Sequence, residues 1–403
     1  MIVRPKYIET IRPFINQPLV KILAGVRRSG KSTIFEMLKA ELCKQGIPEN
    51  HIVHKRYTEM DIPENISAKE MYDELVAAIK DDKRHYFLLD EIQEVPGWER
   101  AVNSLLEKYN SDIYVTGSNS KLMSSEISTY LTGRYVSIPV YTLSFREYIS
   151  FKAANDDTAE KNESKLLEEY LRFGGFPIIA LNEYEPQQAY QIINGIYHTV
   201  VSRDIVKRHR INRQELFDRV VKYIIENIGK TFSANSVSRF LKSENRTVSV
   251  ESIYNYLRWL EQAFIIYRCP RYDIQGKSLL KTQEKYYLSD ISLKYSLLGY
   301  NRKMLDGVLE NIVFLELKRR GYEVYIGKNG TKEIDFIALR QDEKLYIQVC
   351  VQLPENSERE IENLMQINDH YPKYVVTLNN MDTGIENGIK IIHLSDFLLK
   401  ELN

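Results

Sequence analysis

The feature that most constrains this chain is a segment near its N-terminus, Gly25-Val-Arg-Arg-Ser-Gly-Lys-Ser-Thr33. It matches the phosphate-binding pattern of a glycine, four residues and then Gly-Lys-Ser. An apolar run from residue 19 to 24, interrupted by Lys21, is typical of a buried strand, and residues 33 to 44 carry apolar side chains at a helical spacing. Strand, glycine loop and helix in this order place backbone N–H groups and a helix N-terminus around a polyphosphate. The segment therefore predicts a nucleotide site.

The residues of this loop have separate predicted roles toward ATP and Mg²⁺. Lys31 would reach the β- and γ-phosphates, and the Ser32 hydroxyl would ligate Mg²⁺. The remaining contacts to the nucleotide are expected from the loop and the first helical turn, namely Gly25, Arg28, Ser29, Gly30 and Thr33.

A second apolar strand, residues 84–91, ends in the adjacent carboxylates Asp90 and Glu91. Such an ending is a weak signal by itself. Downstream of a phosphate loop it becomes strong, because the two halves complete one Mg²⁺ site. We expect Asp90 to hold the Mg²⁺ shell and Glu91 to polarise the attacking water.

A third strand, residues 112–116, leads into Gly117-Ser-Asn-Ser120. Asn119 is predicted to contact the γ-phosphate or the lytic water, and the alternative is that it caps the helix starting near Lys121. Strands that alternate with helices imply a parallel α/β sheet with right-handed crossovers, which binds ligand beyond the carboxyl ends of its strands. The phosphate loop, the acidic pair and Asn119 all follow strands, so they are expected at that edge.

Several motifs together resemble, in this order, the AAA+-type ATPases of bacteria and archaea that carry a C-terminal domain of unknown function. They are Gly-Val-Arg-Arg-Ser-Gly-Lys-Ser, Leu-Leu-Asp-Glu-Ile-Gln, Thr-Gly-Ser-Asn-Ser, Leu131-Thr-Gly-Arg-Tyr135, Leu143-Ser-Phe-Arg-Glu147, Gly174-Gly-Phe-Pro177 and Ser202-Arg-Asp-Ile205. The resemblance implies ATP binding and hydrolysis. In related ATPases an arginine stabilises the developing phosphate charge. Arg134 fits this role, in cis or on a neighbouring subunit, and a solvated arginine at a strand start is the alternative.

Length and composition bound the remaining possibilities. A chain of 403 residues exceeds a single core, and we divide it into a P-loop ATPase domain (1–151), a linker and helical region (152–214), a winged-helix-like domain (215–300) and a C-terminal α/β domain (301–403). No apolar run reaches the length of a membrane span, and no signal peptide is evident. The three cysteines share no metal-ligand spacing, which favours a reduced, cytoplasmic setting. A formal net charge of zero gives no bulk attraction to nucleic acid, although local patches remain open.

The middle of the chain carries a basic run and a possible DNA-binding motif. The basic run contains Arg203, Lys207, Arg208, His209, Arg210 and Arg213. It would either contact phosphates or form a solvated helix face. Predicted helices at 216–228, 233–241 and 250–260, followed by extended segments at 264–267 and 285–288, suggest a winged helix. Its would-be recognition helix has a mixed polar side, with Ser252, Asn255, Arg258 and Glu261, which fits either DNA reading or protein docking.

The C-terminal region shows a helix, three strands, a helix and a strand, an order that resembles the restriction-endonuclease-like core. Such cores gather a divalent metal with an Asp on the second strand, Glu-x-Lys on the third and a helical Glu. Here Glu310 and Asp335 are present, but the Glu-x-Lys position reads Gln348-Val-Cys350 and lacks the lysine. The domain is therefore expected to bind without cleaving, and a marginal nuclease using Glu310, Asp335 and Gln348 is the alternative.

The leading hypothesis from sequence is a Mg²⁺-dependent ATPase that acts as a switch or motor on DNA or on a protein partner. The alternatives are a nucleotide-regulated scaffold that binds proteins only and an ATP-dependent nuclease. An oligomer is possible if Arg134 works in trans.

Overall fold

The computed structural model describes residues 2–59, 62–63, 65–123, 125–131, 133–154, 162–301, 305–353 and 358–402. The chain separates into two compact units. The first comprises residues 1–142 and 262–264, and the second comprises residues 143–261 and 265–403. Within the described ranges, no helix has both the length and the apolar character that crossing a membrane requires.

The first unit is built on a parallel sheet. Its strands are β1 (Val20–Ala24), β2 (Ile52–Arg56), β3 (His85–Asp90), β4 (Ser111–Gly117) and β5 (Tyr135–Pro139), and its helices are α1 (Pro5–Ile11), α2 (Lys31–Lys44), α3 (Ala68–Ala77), α4 (Trp98–Lys108) and α5 (Ser125–Tyr130). The five strands pair in parallel in the order β2-β3-β4-β1-β5. The predicted P-loop type of α/β sheet is thereby confirmed.

The central strands explain why the apolar runs of the sequence are nearly continuous. Every residue of β1, β3 and β4 is buried, as expected for strands of a parallel sheet that is covered on both faces. Lys21 interrupts the apolar run of β1, and it forms a fully buried ion pair with Asp112 in β4. Burial lowers the pKa of Lys21, and the adjacent Asp112 carboxylate opposes this effect. The polar residue inside the apolar run therefore has a partner on the neighbouring strand.

The second unit combines helices with a mixed sheet. Its helices are α6 (Phe145–Ala153), α7 (Glu163–Phe173), α8 (Pro177–Ala180), α9 (Pro186–Thr199), α10 (Gln214–Glu226), α11 (Ala234–Ser243), α12 (Val250–Gln262), α13 (Ser292–Leu298), α14 (Leu305–Arg319), α15 (Glu358–Met365) and α16 (Leu394–Leu399). Its strands are β6 (Ile266–Asp273), β7 (Ser278–Leu288), β8 (Glu323–Asn329), β9 (Lys332–Arg340), β10 (Glu343–Cys350), β11 (Lys373–Thr377), β12 (Gly384–Glu386) and β13 (Ile389–His393). They form an eight-stranded sheet in the order β12-β13-β11-β10-β9-β8-β6-β7.

The predicted boundary between residues 215–300 and 301–403 needs correction. The two extended segments predicted at 264–267 and 285–288 overlap the longer strands β6 and β7, which pair with each other. Strand β6 also pairs in parallel with β8 through Arg271, Tyr272 and Asp273. The ribbon is therefore part of the C-terminal sheet. The sequence shows which segments are extended, but not which strand each one pairs with.

The element order predicted for the C-terminal region is present. Helix α14 precedes the antiparallel strands β8, β9 and β10, and α15 leads to β11, which is parallel to β10. Of the predicted exposed loop at 152–164, residues 155–161 lie outside the described residues.

Candidate nucleotide-binding site

The loop between β1 and α2 has the shape of an anion cradle. At Gly25 an added Cβ would lie 1.9 Å from the carbonyl oxygen of Val140, so only glycine fits there. Gly30 has a left-handed conformation, with φ of 97°, and immediately precedes α2. The first N–H groups of a helix have no partner within the helix, and they attract anions. The buried hydroxyl of Ser29 also lacks a hydrogen-bond partner among the described residues. The loop therefore suits a phosphate group.

Lys31 lies inside this loop. Its side chain is buried, and its Nζ donates to the carbonyl oxygens of Gly25 and Val26 at 3.1 and 3.2 Å. The same Nζ lies 3.7 Å from Oε1 of Glu91. The lysine thus joins the phosphate loop to the acidic end of β3.

Asp90, the last residue of β3, contacts Ser32 in the first turn of α2. The Ser32 hydroxyl donates to Oδ2 of Asp90 at 2.6 Å, although 58 positions separate the two residues. The other carboxylate oxygen accepts a hydrogen bond from the Thr116 hydroxyl, and Asp90 is fully buried. A hydroxyl and a carboxylate in contact offer the oxygen ligands that Mg²⁺ prefers. The structure therefore brings together both residues that the sequence predicts as Mg²⁺ ligands.

Glu91 is held by several donors. The hydroxyl of Ser118 donates to its Oε2 at 3.2 Å, and the amide of Gln93 donates to the same oxygen. Burial by itself would raise the pKa of Glu91, but the Lys31 ammonium, together with Gln93, outweighs burial and lowers the pKa. Glu91 is therefore ionised near neutral pH, as a general base must be.

Asn119 follows β4 at the same edge and is buried. Its Oδ1 accepts the N–H of Lys121 at 2.9 Å, which is the capping contact of the alternative interpretation. Within residues 117–120, it is Ser118, not Asn119, whose side chain hydrogen-bonds to Glu91. A role for Asn119 toward the γ-phosphate stays a prediction.

Arg134 lies at the wrong edge of the sheet for a role in cis. Its carbonyl oxygen accepts the N–H of Val20, the first residue of β1, whereas the phosphate loop follows the last residue of that strand. Its guanidinium pairs with Glu107. Because β1 and β5 are parallel, a residue just before β5 belongs to the amino edge, opposite the nucleotide site. The geometry argues against the cis role, and it leaves two hypotheses: a role in trans, or a surface arginine at a strand start that pairs with Glu107.

Arg56 is a residue of this site that the sequence analysis missed. It ends β2, whose register places it beside Asp90, and its Nε donates to Oδ2 of Asp90 at 3.1 Å. The guanidinium also lies 3.3 Å from Glu59. The sequence places this arginine at the end of a short extended segment, but only the strand order shows that β2 neighbours β3.

One group of described residues, His51, Asp81 and His85, has metal-ligating atoms within 4.8 Å of one another. It lies at the amino end of β3, away from the phosphate loop. Both ring nitrogens of His85 are already hydrogen-bonded, to the carbonyl oxygen of Lys83 and the N–H of Lys80. Mg²⁺ prefers oxygen ligands, so this group is not the Mg²⁺ site.

The three residues of the nuclease-like prediction lie around a lysine from elsewhere in the chain. Gln348 Oε1 accepts the N–H of Asp335 at 2.6 Å. Lys285, on β7, places its Nζ 3.1 Å from Oε2 of Glu310, 3.0 Å from Oε1 of Glu333 and 3.9 Å from Oδ1 of Asp335. The cation that the third strand lacks is therefore supplied by another strand. Sequence spacing could not reveal this, because the lysine precedes the whole motif.

The electrostatics of this cluster follow from its burial. Burial raises the pKa of Asp335 well above its usual value and also raises the pKa of Glu310. Burial would lower the pKa of Lys285, but Glu310, Asp335 and Glu333 outweigh it and raise the pKa. The ammonium thus stays charged and is already bonded to the carboxylates that a metal would need.

Comparison with known proteins gives matches over most of the chain. Residues 17–149 match the family model of an AAA domain, and residues 164–303 match that of a domain of unknown function. An uncharacterised protein of Haemophilus influenzae is 37% identical over 401 residues, with 99% of each chain covered. An uncharacterised protein of Methanocaldococcus jannaschii is 33% identical over 360 residues, covering 85% of this chain and 77% of that protein.

Among solved structures, a Walker-type ATPase of Pyrococcus abyssi has a similar fold, with a TM-score of 0.54. The two chains are 13% identical, and the match covers 74% of this chain and 96% of the other. At this level of identity the likeness concerns the fold alone.

Proposed function

Since the chain belongs to the family of AAA-domain P-loop ATPases that these bacterial and archaeal relatives represent, we propose that it binds ATP with Mg²⁺ and hydrolyses it to ADP and phosphate. The observation that carries the proposal is the 2.6 Å contact between Ser32 and Asp90, with Lys31 and Glu91 beside it. Four side chains from two distant segments meet there in the arrangement that phosphoryl transfer requires.

Each residue would act on a different part of the reaction. The loop backbone and the start of α2 would hold the phosphates, and Lys31 would neutralise the charge on their oxygens. Ser32 and Asp90 would hold Mg²⁺, which supplies further charge neutralisation when bound. Glu91 would accept a proton from the attacking water, and Ser118 would help to orient its carboxylate.

The substitution Glu91→Gln tests the catalytic assignment. We expect ATP binding to persist while kcat falls about 100-fold or more, because the amide cannot accept the proton. Glu49→Gln is the matched control, since Glu49 is an exposed carboxylate of the same unit and pairs only with Lys39 among the described residues. Lys31→Ala should instead weaken ATP binding. Normal hydrolysis by Glu91→Gln would show that the base is another residue.

The output of hydrolysis is proposed to be a change in how the second unit engages a partner, which makes the protein a nucleotide-driven switch or motor. DNA and a protein are the two classes of partner that the chain suggests, and a scaffold that binds proteins only is the alternative. We infer that the cluster around Asp335 does not cleave nucleic acid, because Gln348 stands in place of a metal-binding glutamate and its Oε1 already accepts the N–H of Asp335.

A further inference from the structure

The basic run of the second unit lies on an unusual helical segment. After α9 the backbone continues as a π-helix over Val200–Lys207, and Arg210 then adopts a positive φ of 51°. Val201 and Ile205 anchor the segment in the core, whereas Lys207, Arg208 and Arg210 are exposed. The segment therefore presents three cations to solvent from a fixed backbone.

These three cations have no ion-pair partner in the part of the chain that the structure describes. Other arginines of the same helical region are paired: Arg219 lies 2.9 Å from Glu244, and Arg246 lies 2.7 Å from Glu215. Like charges packed within a few residues repel one another. Their arrangement is better explained by an anionic partner.

A ring stack joins the basic segment to helix α12. The imidazole of His209 lies parallel to the indole of Trp259, with a centroid distance of 4.4 Å and an interplanar angle of 13°. Helix α12 is the third helix of the predicted helix-turn-helix, and it exposes Tyr254 and Arg258. The stack thus holds the cations beside the helix that the sequence predicts to read DNA.

We propose that this surface binds double-stranded DNA, with Lys207, Arg208 and Arg210 on the phosphate backbone and α12 facing the major groove. The inference rests on the proposed function, because it names the partner on which the ATP-driven switch acts. Phosphates require cations, whereas base edges offer both donors and acceptors. The unpaired cations suit the phosphates, and the mixed polar side of α12 suits the base edges. A helix about 10–12 Å in diameter fits a groove about 12 Å wide.

The test is a fluorescence-anisotropy titration of a labelled DNA duplex with the full chain at several salt concentrations. The triple variant Lys207→Gln, Arg208→Gln, Arg210→Gln keeps polar side chains but removes three charges. We expect weaker binding and a salt slope that is smaller by up to about 3, since each lost phosphate contact contributes about 0.9. The control variant Lys44→Gln, Lys83→Gln, Lys277→Gln removes three charges from other exposed positions and should bind as the unmodified chain does.

Three results would overturn the proposal: no DNA binding by the unmodified chain, equal affinity and salt slope in the triple variant, or competition by polyglutamate as strong as that by unlabelled duplex. The last result would favour an acidic protein partner. Basal ATP hydrolysis, measured without DNA, should be unchanged in both triple variants. If the chain hydrolyses ATP but does not bind DNA, the DNA proposal is wrong and the proposed ATPase activity is unaffected. If it binds DNA through these cations but does not hydrolyse ATP, the proposed ATPase activity is wrong and the DNA surface is supported.

Discussion

At the scale of single residues, the state of Glu91 decides what the nucleotide site does. Its carboxylate is mostly buried, which disfavours the charged form. It stays ionised because the Lys31 ammonium and the Gln93 amide stabilise the negative charge. Its backbone adopts a positive φ of 55°, which is strained for a residue with a side chain. The fold thus holds one carboxylate in an uncommon backbone conformation, beside the lysine of the phosphate loop.

This predicts a pH dependence that Gln93 controls. Because the pKa of Glu91 is lowered, kcat/KM for ATP should fall only at pH values below the usual carboxyl range. Gln93→Leu removes a donor to the carboxylate, so the pKa should rise and the acid limb should move to higher pH. The measurement is a pH profile of kcat/KM, with Gln45→Leu at the exposed end of α2 as the control. An acid limb that does not move would show that this hydrogen bond leaves the base unaffected.

At the scale of elements, Lys285 fastens β7 to helix α14 and strand β9. Its ammonium contacts Glu310 of α14 and Glu333 of β9. The hydroxyl of Tyr287, which also lies on β7, donates a 2.9 Å hydrogen bond to Glu310. A buried charge cluster of this kind is weak evidence for stability, but removing one member leaves its partners uncompensated. The cluster therefore ties the β6–β7 hairpin to the C-terminal core through charge as well as through backbone pairing.

Lys285→Met should lower the free energy of unfolding by about 3–5 kcal/mol. The loss should be greater at about pH 8 than at about pH 5. The pKa values of Glu310 and Asp335 are raised, so at low pH these carboxyl groups are protonated and need no cation beside them. As the pH rises through their folded-state pKa values they become charged, and without Lys285 these buried charges are uncompensated. Urea unfolding of the second unit at both pH values measures this.

Lys277→Met, in the exposed turn of the same hairpin, is the control. The double variant Lys285→Met, Glu310→Gln should recover part of the lost stability. Equal losses at the two pH values would mean that the carboxyl groups around Lys285 do not titrate as inferred.

At the scale of the whole molecule, the proposed switch requires that ATP and DNA influence each other. If ATP changes the Kd for duplex DNA by some factor, DNA must change the Kd for ATP by the same factor. We expect a coupling of about 5- to 150-fold, which is the usual range for linked sites. Glu91→Gln allows both constants to be measured without turnover, by anisotropy for DNA and by calorimetry for ATP. Two ligands that bind without any coupling would contradict an ATP-driven switch that acts on DNA.

The sequence by itself determined the parts of this protein that depend on local order. Asp90, Glu91 and the loop from Gly25 to Thr33 were predicted because each lies next to its strand or helix, and a parallel sheet brings the carboxyl ends of its strands together. The alternation of strands and helices likewise predicted the first sheet.

Only the tertiary structure decided which distant elements meet. In the first unit, Arg56 lies beside Asp90, and Arg134 lies at the opposite edge of the sheet. In the second unit, β6 and β7 belong to the C-terminal sheet, and Lys285 contacts the carboxylate of Glu310. The physical reason is that strand order and side-chain partners are set by the packing of the whole core. Residue spacing along the chain reports only on the immediate neighbourhood.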